Sequence, residues 1–359
     1  MRPSLSRPTG VGIYLQNLVR ALSKQDRENE YHLFSCSWKE RYPPISYGEN
    51  FQLHDIRLPG KFLNFSWNHL SFPPIEYLIG RSADVVHSST PLVIPTRRAR
   101  SVTTVYDLYF FKNPAEAIRE MQTDFPKKIK EHSLRSDAII AISDYTKRQL
   151  IELLNVPSSR IYTIKLGVDD FFLEQVSVEE KNQVQEKFKI PGPYLLFVGT
   201  REPRKNLPLL VEAFRKLREK NIYLVLAGPQ GWNLEEEGLS GDRVLFTGYV
   251  SRSDLRALYQ QATAFVFPSI DEGFGLPLLE GMASGIPVIA SRIPAIQEVC
   301  NDSCVYFDPN NAEELTQRIQ EVLDQSDLRQ RLIEKGKQRV QNFSWNDTAQ
   351  KTLELYKSL

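Results

Sequence analysis

Two glutamates, Glu272 and Glu280, are separated by seven residues in the stretch EGFGLPLLE near the C-terminus. The glycines between them permit a tight turn and a close approach of ligand to backbone, and Pro277 suits the first turn of a helix. Free N–H groups at such a helix start attract anions. The predicted anion-facing residues are Gly273, Phe274, Gly275 and Leu276.

Carboxylates beside this anion cradle favour a ligand that also carries hydroxyls, because ionised carboxylates accept hydrogen bonds. Glu280 lies one turn into the helix, where it would repel a phosphate, so we expect it to bind hydroxyls instead. The stretch predicts a sugar-nucleotide site. The alternative is that Glu280 is an acid favoured by the helix dipole and Glu272 a solvated loop residue.

A second candidate cluster lies upstream in the stretch YLLFVGTREPRKN, residues 194–206. Its apolar run ends in Gly199, and Asn206 is expected to cap the following helix. Arg204 and Lys205 therefore lie just before a helix start, where the dipole disfavours cations. A bound anion would account for this placement, and the alternative is a solvated surface pair.

Four stretches together resemble glycosyltransferase family 4, and the resemblance covers nearly the whole chain. They are the two-glutamate stretch at 272–280, VGTREPRKN at 198–206, IAISDYT at 140–146 and NFSWN at 342–346. The resemblance implies the α/β GT-B fold, which has two Rossmann-like, doubly wound parallel-sheet domains facing each other across a cleft. It also implies retaining transfer of a hexose from a nucleotide-diphosphate sugar, of mannosyl or glucosyl type.

The resemblance assigns a role to each matched residue. It places Arg204 and Lys205 on the donor diphosphate, Glu272 near the hydroxyls of the transferred sugar, and Glu280 on the ribose. Arg204, Lys205 and Glu272 are thus the catalytic candidates. Gly12, in a Gly-Val-Gly turn that opens the first helix, is expected to offer backbone N–H groups to the donor phosphate or to the acceptor.

Size and composition exclude several classes of protein. A chain of 359 residues with 41% hydrophobic content suits two domains. The net charge of +1 comes from interspersed charges and argues against nucleic-acid binding. Three cysteines match neither a disulfide framework nor a metal site, so we expect a reducing compartment. Since no signal-peptide core or membrane-spanning run is present, a cytoplasmic protein is expected.

Apolar runs alternate with helical patterns in both halves, which is typical of parallel doubly wound sheets. Strands are predicted at 31–36, 84–87, 101–105, 138–142, 161–164, 194–199, 222–228, 243–248, 264–269, 287–291 and 304–308. We predict an acceptor-binding domain at 1–180 and a nucleotide-sugar-binding domain at 181–344. The helix at 345–359 is expected to pack back on the first domain.

The first domain departs from the family pattern at its start. Residues 1–9 contain two prolines and no β pattern, where the family has an apolar strand. The hypothesis is that the start codon lies further upstream and that a strand precedes Met1. The alternative is a short protein whose first domain is damaged or is completed by a partner.

Three residues are predicted on the acceptor side. Tyr106 stands where the family usually has His, and a phenol with its pKa near 10 cannot share a proton at neutral pH as imidazole does. Asp107 is either an acceptor-side carboxylate or a turn cap. His87 is either functional or a buried structural histidine.

Aromatic residues Phe62, Phe65, Trp67, Phe72 and Tyr77 either line an acceptor groove or pack in the core. Basic residues at 97–100 and 127–135 either form a solvated face or make weak peripheral contact with the inner face of a membrane. Because no Asp-x-Asp stretch follows a strand as a metal clamp, no cofactor or metal is expected. The expected partners are a GDP- or UDP-linked sugar and a glycan or lipid-linked acceptor.

The expected enzyme is a metal-independent glycosyltransferase that serves polysaccharide biosynthesis. Two other functions stay open from the sequence. A catalytically impaired homologue acting as a binding or scaffold subunit would fit Tyr106 and the missing strand pattern. A nucleotide-sugar epimerase on the same two-domain plan is disfavoured by the residues at 272–280.

Overall fold

A computed structural model describes residues 10–38, 41, 46–114, 125–219, 221–231 and 237–359. The chain divides into two compact units, one formed by Met1–Gly167 with Ser344–Leu359 and the other by Val168–Phe343. Residue 180, where the sequence places the boundary, lies inside a helix of the second unit, Val178–Lys187. That helix is tied to the second unit by an ion pair between Lys187 and Asp254, 2.6 Å apart.

The strands of the first unit are all parallel but form two sheets. They are β1 (Tyr31–Cys36), β2 (Phe51–Ile56), β3 (Val85–Ser88), β4 (Arg100–Val105), β5 (Ala138–Ala141) and β6 (Ile161–Thr163). Among the described strands β1 pairs with β2 alone, and the second sheet has the order β3-β4-β5-β6. The strands predicted in this half are confirmed. β2 was not predicted because its sequence, FQLHDI, mixes polar and apolar residues.

Helices cover these strands. The described helices of the first unit are α1 (Gly10–Gln25), α2 (Gly60–Leu70), α3 (Ile75–Ile79), α4 (Tyr109–Lys112), α5 (Phe125–Arg135), α6 (Asp144–Leu154) and α14 (Trp345–Lys357). Ser143 caps α6, since its hydroxyl accepts the N–H of Thr146. α14 packs against α1, and the Gln25 side chain donates to the Asn346 carbonyl at 2.9 Å.

A cavity of about 1470 Å³ separates the two sheets of the first unit. Residues of β1, β3, α1 and α14 all line it. Among the described residues, no strand joins β1 to β3. The hypothesis of a missing first strand concerns residues 1–9, which lie outside the described residues.

The second unit is built on one six-stranded parallel sheet of order β12-β11-β10-β7-β8-β9. Its strands are β7 (Tyr194–Val198), β8 (Tyr223–Ala227), β9 (Val244–Gly248), β10 (Ala264–Phe267), β11 (Val288–Ser291) and β12 (Val305–Phe307). All six match predicted strands. The chain adds strands on one side of β7 and then returns to add β10 on the other side, so the topological switch point lies between β7 and β10.

The helices of the second unit are α7 (Val178–Lys187), α8 (Leu207–Arg215), α9 (Arg252–Gln261), α10 (Leu276–Ala283), α11 (Pro294–Cys300), α12 (Ala312–Asp324) and α13 (Ser326–Val340). Leu210, Phe214 and Leu217 are buried in one core cluster with residues of β7 and β8. The three cysteines are buried, and none forms a disulfide among the described residues. In the part of the chain that the structure describes, no helix is both long and apolar enough to cross a bilayer.

Candidate active site at the switch point of the second unit

Two loops meet where β7 and β10 end. These strands are neighbours, with Leu195 opposite Ala264, and the chain leaves their carboxyl ends in opposite directions. The backbone N–H of Ile270 in the second loop donates to the carbonyl of Arg204 in the first, at 2.9 Å. Ligands of open α/β sheets bind at such a place, because the diverging loops leave a crevice.

The loop after β7 makes a short 3₁₀ turn, Pro203–Lys205, before α8 begins. The prediction that Asn206 caps α8 is wrong, because Asn206 adopts a left-handed conformation with φ 55° and its side chain makes no cap. Its amide donates instead to the Pro309 carbonyl at 2.8 Å. Asn tolerates this conformation better than most residues, so it connects the two helical turns.

The loop after β10 ends at Gly275, which has φ 101° and precedes the first residue of α10. A Cβ atom there would lie 2.7 Å from the Leu278 side chain, so the position favours glycine. Pro277 lies in the first turn of α10, as predicted. Phe274 is buried and packs edge-on against Phe343, with 5.8 Å between the ring centres. This packing anchors the loop and holds its backbone at the start of α10.

The structure brings Arg204, Lys205 and Glu272 into one buried cluster of charges. The ammonium of Lys205 donates to Glu272 Oε1 at 2.5 Å, and Arg204 donates to Glu272 Oε2 at 3.1 Å. Arg204 also donates to Glu202 at 2.6 Å. The Lys205 ammonium lies 5.2 Å from the centre of the Phe267 ring, within the range of a cation–π contact.

Burial raises the pKa of Glu272, but the charges of Lys205 and Arg204 outweigh burial and hold that pKa below its usual value. Burial lowers the pKa of Lys205, against the opposing effect of the Glu272 carboxylate. The Glu272 carboxylate is therefore ionised at neutral pH, and its charge opposes the loss of the Lys205 proton. The cluster therefore presents two cations beside the start of α10, held in place before a ligand arrives.

Glu280 lies on the buried side of α10, where its carboxylate accepts a hydrogen bond from Tyr259 at 3.1 Å. The same hydroxyl is within 3.3 Å of the Pro277 carbonyl. Burial raises the pKa of Glu280 to about 7, and the bond from Tyr259 opposes this rise. Glu280 thus differs from Glu272, since it forms no ion pair with any cation that the structure describes.

The remaining predicted residues, Gly12, His87, Tyr106 and Asp107, belong to the first unit. Gly12 is buried in the first turn of α1. Asp107 Oδ1 accepts the N–H of Tyr109 at 3.2 Å, so this carboxylate serves at least as a turn cap.

His87 uses both ring nitrogens, one with Thr104 at 2.7 Å and one with Tyr356 at 2.5 Å. Burial lowers its pKa to about 4, so the ring is neutral at pH 7. Tyr14 packs edge-on against Tyr106, 5.6 Å between ring centres, and shares a hydrogen bond with Thr104. The Tyr106 hydroxyl has no partner among the described residues, and burial raises its pKa.

Three residues of the second unit were not singled out from the sequence. Glu202 pairs with Arg204, Tyr259 binds Glu280, and Arg201 is buried with its guanidinium donating to the Gly228 carbonyl at 3.0 Å. Glu202 and Arg201 lie within residues 194–206, the stretch that contains the predicted Arg204 and Lys205. No local pattern marks Tyr259, because its role depends on the packing of α9 against α10.

Two family models match the chain. "Glycosyltransferase Family 4" matches residues 8–170, and "Glycosyl transferases group 1" matches residues 178–339. The chain belongs to glycosyltransferase family 4. It is an enzyme family, and the match in the second unit includes both loops of the switch point.

The similarity of this family 4 glycosyltransferase to known proteins extends over nearly its whole length. It is 29% identical to the O-antigen chain mannosyltransferase B of Escherichia coli, over 98% of this chain and 96% of the relative. It resembles the solved sucrose-phosphate synthase of Thermosynechococcus elongatus with a TM-score of 0.78 and 21% identity, over 98% of this chain and 94% of that one. Anabaena Alr3699/HepE, solved with UDP-glucose, has a TM-score of 0.75 and 15% identity, over 98% and 97% of the two chains. These likenesses confirm the GT-B fold.

The substitution Glu272→Gln should destabilise the second unit, because it leaves Lys205 buried without its counter-ion. We expect the free energy of unfolding at pH 7 to fall by about 3 to 5 kcal/mol. Urea unfolding followed by circular dichroism measures the loss. Asp347→Asn is the matched control, since it breaks an exposed pair with Lys351 at 2.8 Å and should cost less than about 1 kcal/mol. Equal losses in the two variants would contradict the buried pair.

Glu280 should make stability depend on pH. Its folded pKa of about 7 lies above its unfolded value of 4.5, so its contribution is present below pH 4.5 and is lost as pH rises through 7. The unfolding free energy of the wild type minus that of Glu280→Gln should fall on the order of 1 to 3 kcal/mol between pH 4.5 and 8. Urea titrations of both proteins at several pH values measure the difference. A pH-independent difference would show that Glu280 titrates normally.

Proposed function

We propose that this chain transfers a hexose from a nucleotide-diphosphate sugar to a hydroxyl of a glycan or lipid-linked acceptor, with retention at the anomeric carbon. One observation carries the proposal. Lys205 and Arg204 contact a single carboxylate, Glu272, on the loop that opens α10. The two cations and the start of the helix suit a diphosphate. The carboxylate beside them can accept hydrogen bonds from the hydroxyls of a sugar joined to that diphosphate.

The donor diphosphate binds between Lys205, Arg204 and the N–H groups of Gly273 to Leu276. The charge cluster formed by the two loops is near electroneutral without a ligand, because Glu272 and Glu202 balance the charges of Arg204 and Lys205. A diphosphate binds to the remaining donors of the two cations, and the remaining lone pairs of Glu272 accept hydrogen bonds from sugar hydroxyls. Glu280 holds the ribose, since it is a buried acceptor on the same helix.

Chemistry at this site needs stabilisation of charge more than a reacting side chain. The bond between the anomeric carbon and the phosphate oxygen breaks while the acceptor oxygen bonds to the same carbon from the same face. The acceptor proton passes to the departing phosphate. Lys205, Arg204 and the helix start stabilise the charge that grows on that phosphate, and they act best because they are fixed in advance.

The transferred hexose is mannose in this proposal, by likeness to the E. coli O-antigen chain mannosyltransferase. The product is then an intermediate of a surface polysaccharide. The nucleotide of the donor is GDP or UDP. A lipid-linked acceptor would place the enzyme at the inner face of a membrane.

A second candidate function is donor binding without transfer, as a scaffold subunit. It is favoured by Tyr106, because burial raises the pKa of this phenol and it cannot share a proton at neutral pH as an imidazole does. Incubation of the protein with GDP-mannose or UDP-glucose and detection of released nucleotide separates the candidates. Donor binding with no release of nucleotide would favour the scaffold.

Lys205→Ala should lower turnover by roughly 10² to 10³, the usual effect of removing one preorganised charge stabiliser. Nucleotide release under saturating donor measures this rate. Lys216→Ala is the control, since Lys216 is a surface residue paired with Glu212 at 2.8 Å and should leave turnover unchanged. Unfolding curves of both variants show whether the protein is folded in the assay. Normal turnover of folded Lys205→Ala would remove this residue from the mechanism.

Transfer should not need a divalent metal, because Lys205 and Arg204 supply the positive charge that a metal would bring to the diphosphate. We expect the turnover measured in excess EDTA to stay within about twofold of the turnover in magnesium. The control is a metal-dependent transferase assayed with the same donor. A large loss in EDTA that magnesium restores would overturn metal independence but not sugar transfer.

A further inference from the structure

Tyr259 of α9 contacts the candidate site through its hydroxyl group. The side chain is fully buried, and the hydroxyl oxygen lies 3.1 Å from Glu280 Oε2 and 3.3 Å from the carbonyl oxygen of Pro277. Burial raises the pKa of Tyr259, so the hydroxyl keeps its proton and remains a hydrogen-bond donor. One side chain therefore contacts both the Glu280 carboxylate and the first turn of α10.

The ring of Tyr259 fixes the position of this hydroxyl. It packs edge-on against Phe172, with 5.8 Å between ring centres, and against Phe265 of β10, with 5.4 Å between ring centres. Both partners are buried in turn. Because protein interiors are closely packed, a ring held between two buried aromatic side chains has one stable position. Packing therefore places the hydroxyl before any ligand binds.

Tyr259 is the hydrogen-bond donor that orients the Glu280 carboxylate. Oε2 accepts the bond from Tyr259, and Oε1 forms no hydrogen bond within the part of the chain that the structure describes. Burial is the main cause of the raised pKa of Glu280, whereas Arg252 and Asp169 act on it in opposite directions and form an ion pair with each other. The charges near Glu280 thus offset one another, and the bond from Tyr259 sets its orientation.

A fixed carboxylate suits a ligand that offers two neighbouring hydroxyls. An ionised carboxylate has about four lone-pair sites, so the bond from Tyr259 leaves most of them available to a ligand. The terminal torsion of a glutamate is broad, and without a partner the two oxygens have no preferred direction. Ribose carries hydroxyls on two adjacent carbons, which match the two oxygens of a carboxylate only when the carboxylate is held in one orientation.

We propose that Tyr259 is a positioning residue of the donor site and holds Glu280 in the orientation that receives the ribose hydroxyls. The inference rests on the proposed function, because it takes the ribose of a nucleotide-diphosphate sugar as the ligand of Glu280. Tyr259 acts through Glu280. Its contact with Pro277 joins this carboxylate to the helix start that faces the diphosphate, so a single side chain supports both parts of the donor site.

Calorimetric titration of the full chain with GDP and with UDP tests this role. Tyr259→Phe keeps the packed ring and removes the hydroxyl, so it should weaken binding of the preferred nucleotide roughly tenfold. Tyr194→Phe is the matched control, since Tyr194 is also fully buried and its hydroxyl donates to the Leu258 carbonyl of α9 at 2.7 Å. Its affinity should stay within about twofold of the wild type, because the lost bond lies outside the donor site. Urea unfolding curves check that both variants are folded.

The same nucleotide without its 2′ and 3′ hydroxyls separates positioning from a purely structural role. The wild type should bind this analogue more weakly than the ribonucleotide, while Tyr259→Phe should bind the analogue within about twofold of the wild type. Damage to the fold would lower the affinity for both nucleotides equally. In a Glu280→Gln background, Tyr259→Phe should weaken ribonucleotide binding by less than about twofold, because the two residues act as one unit.

Kinetics of nucleotide release give an independent measurement. Tyr259→Phe should raise the KM for the donor and leave kcat near that of the wild type. The reason is that the ribose contact is the same in the ground state and in the transition state. A fall in kcat with an unchanged KM would contradict the proposed role.

Equal ribonucleotide affinities of folded Tyr259→Phe and Tyr194→Phe would overturn the inference, as would an equal loss of affinity for the ribonucleotide and its analogue. Nucleotide binding by the wild type without release from a donor would contradict sugar transfer, and the titrations would still decide the role of Tyr259. A wild type that binds neither GDP nor UDP would overturn both proposals.

Discussion

The buried ion pair between Lys205 and Glu272 fixes the two loops on which the second unit's site depends. The two residues are 67 positions apart in sequence, yet their charged atoms lie 2.5 Å apart. Neither charge is stable alone away from water, so each requires the other. The loops after β7 and β10 therefore hold a single relative arrangement, which the backbone bond from Ile270 to Arg204 reinforces.

The order of the strands makes this pair possible. β7 and β10 are neighbours because the chain reverses the direction in which it adds strands, and only there do successive loops diverge. The start of α10 lies at the same place as the two cations. Electrostatic preorganisation is thus a property of the sheet topology as much as of the side chains.

A network of neutral hydrogen bonds links four elements of the first unit. Tyr14, Thr104, His87 and Tyr356 form a chain of contacts that joins α1, β4, β3 and α14. Because burial keeps His87 neutral, this network holds the C-terminal helix in place without charge. Tyr106 lies beside it, and its buried hydroxyl has no hydrogen-bond partner among the residues that the structure describes.

The sequence alone determined the strands of the second unit, because short apolar runs that end in Gly, Pro or polar residues alternate there with helical patterns. It also marked Arg204, Lys205, Glu272 and Glu280, since glycine, proline and charge at a helix start have a local physical meaning. It could not give the conformation of Asn206, which depends on a carbonyl 103 residues away. Nor could it distinguish core from surface for Phe62 and Phe65, whose apolar character suits both. Tertiary structure decided the pairing of Lys205 with Glu272 and the bond from Tyr259 to Glu280, because strand order and helix packing bring together groups that no local spacing relates.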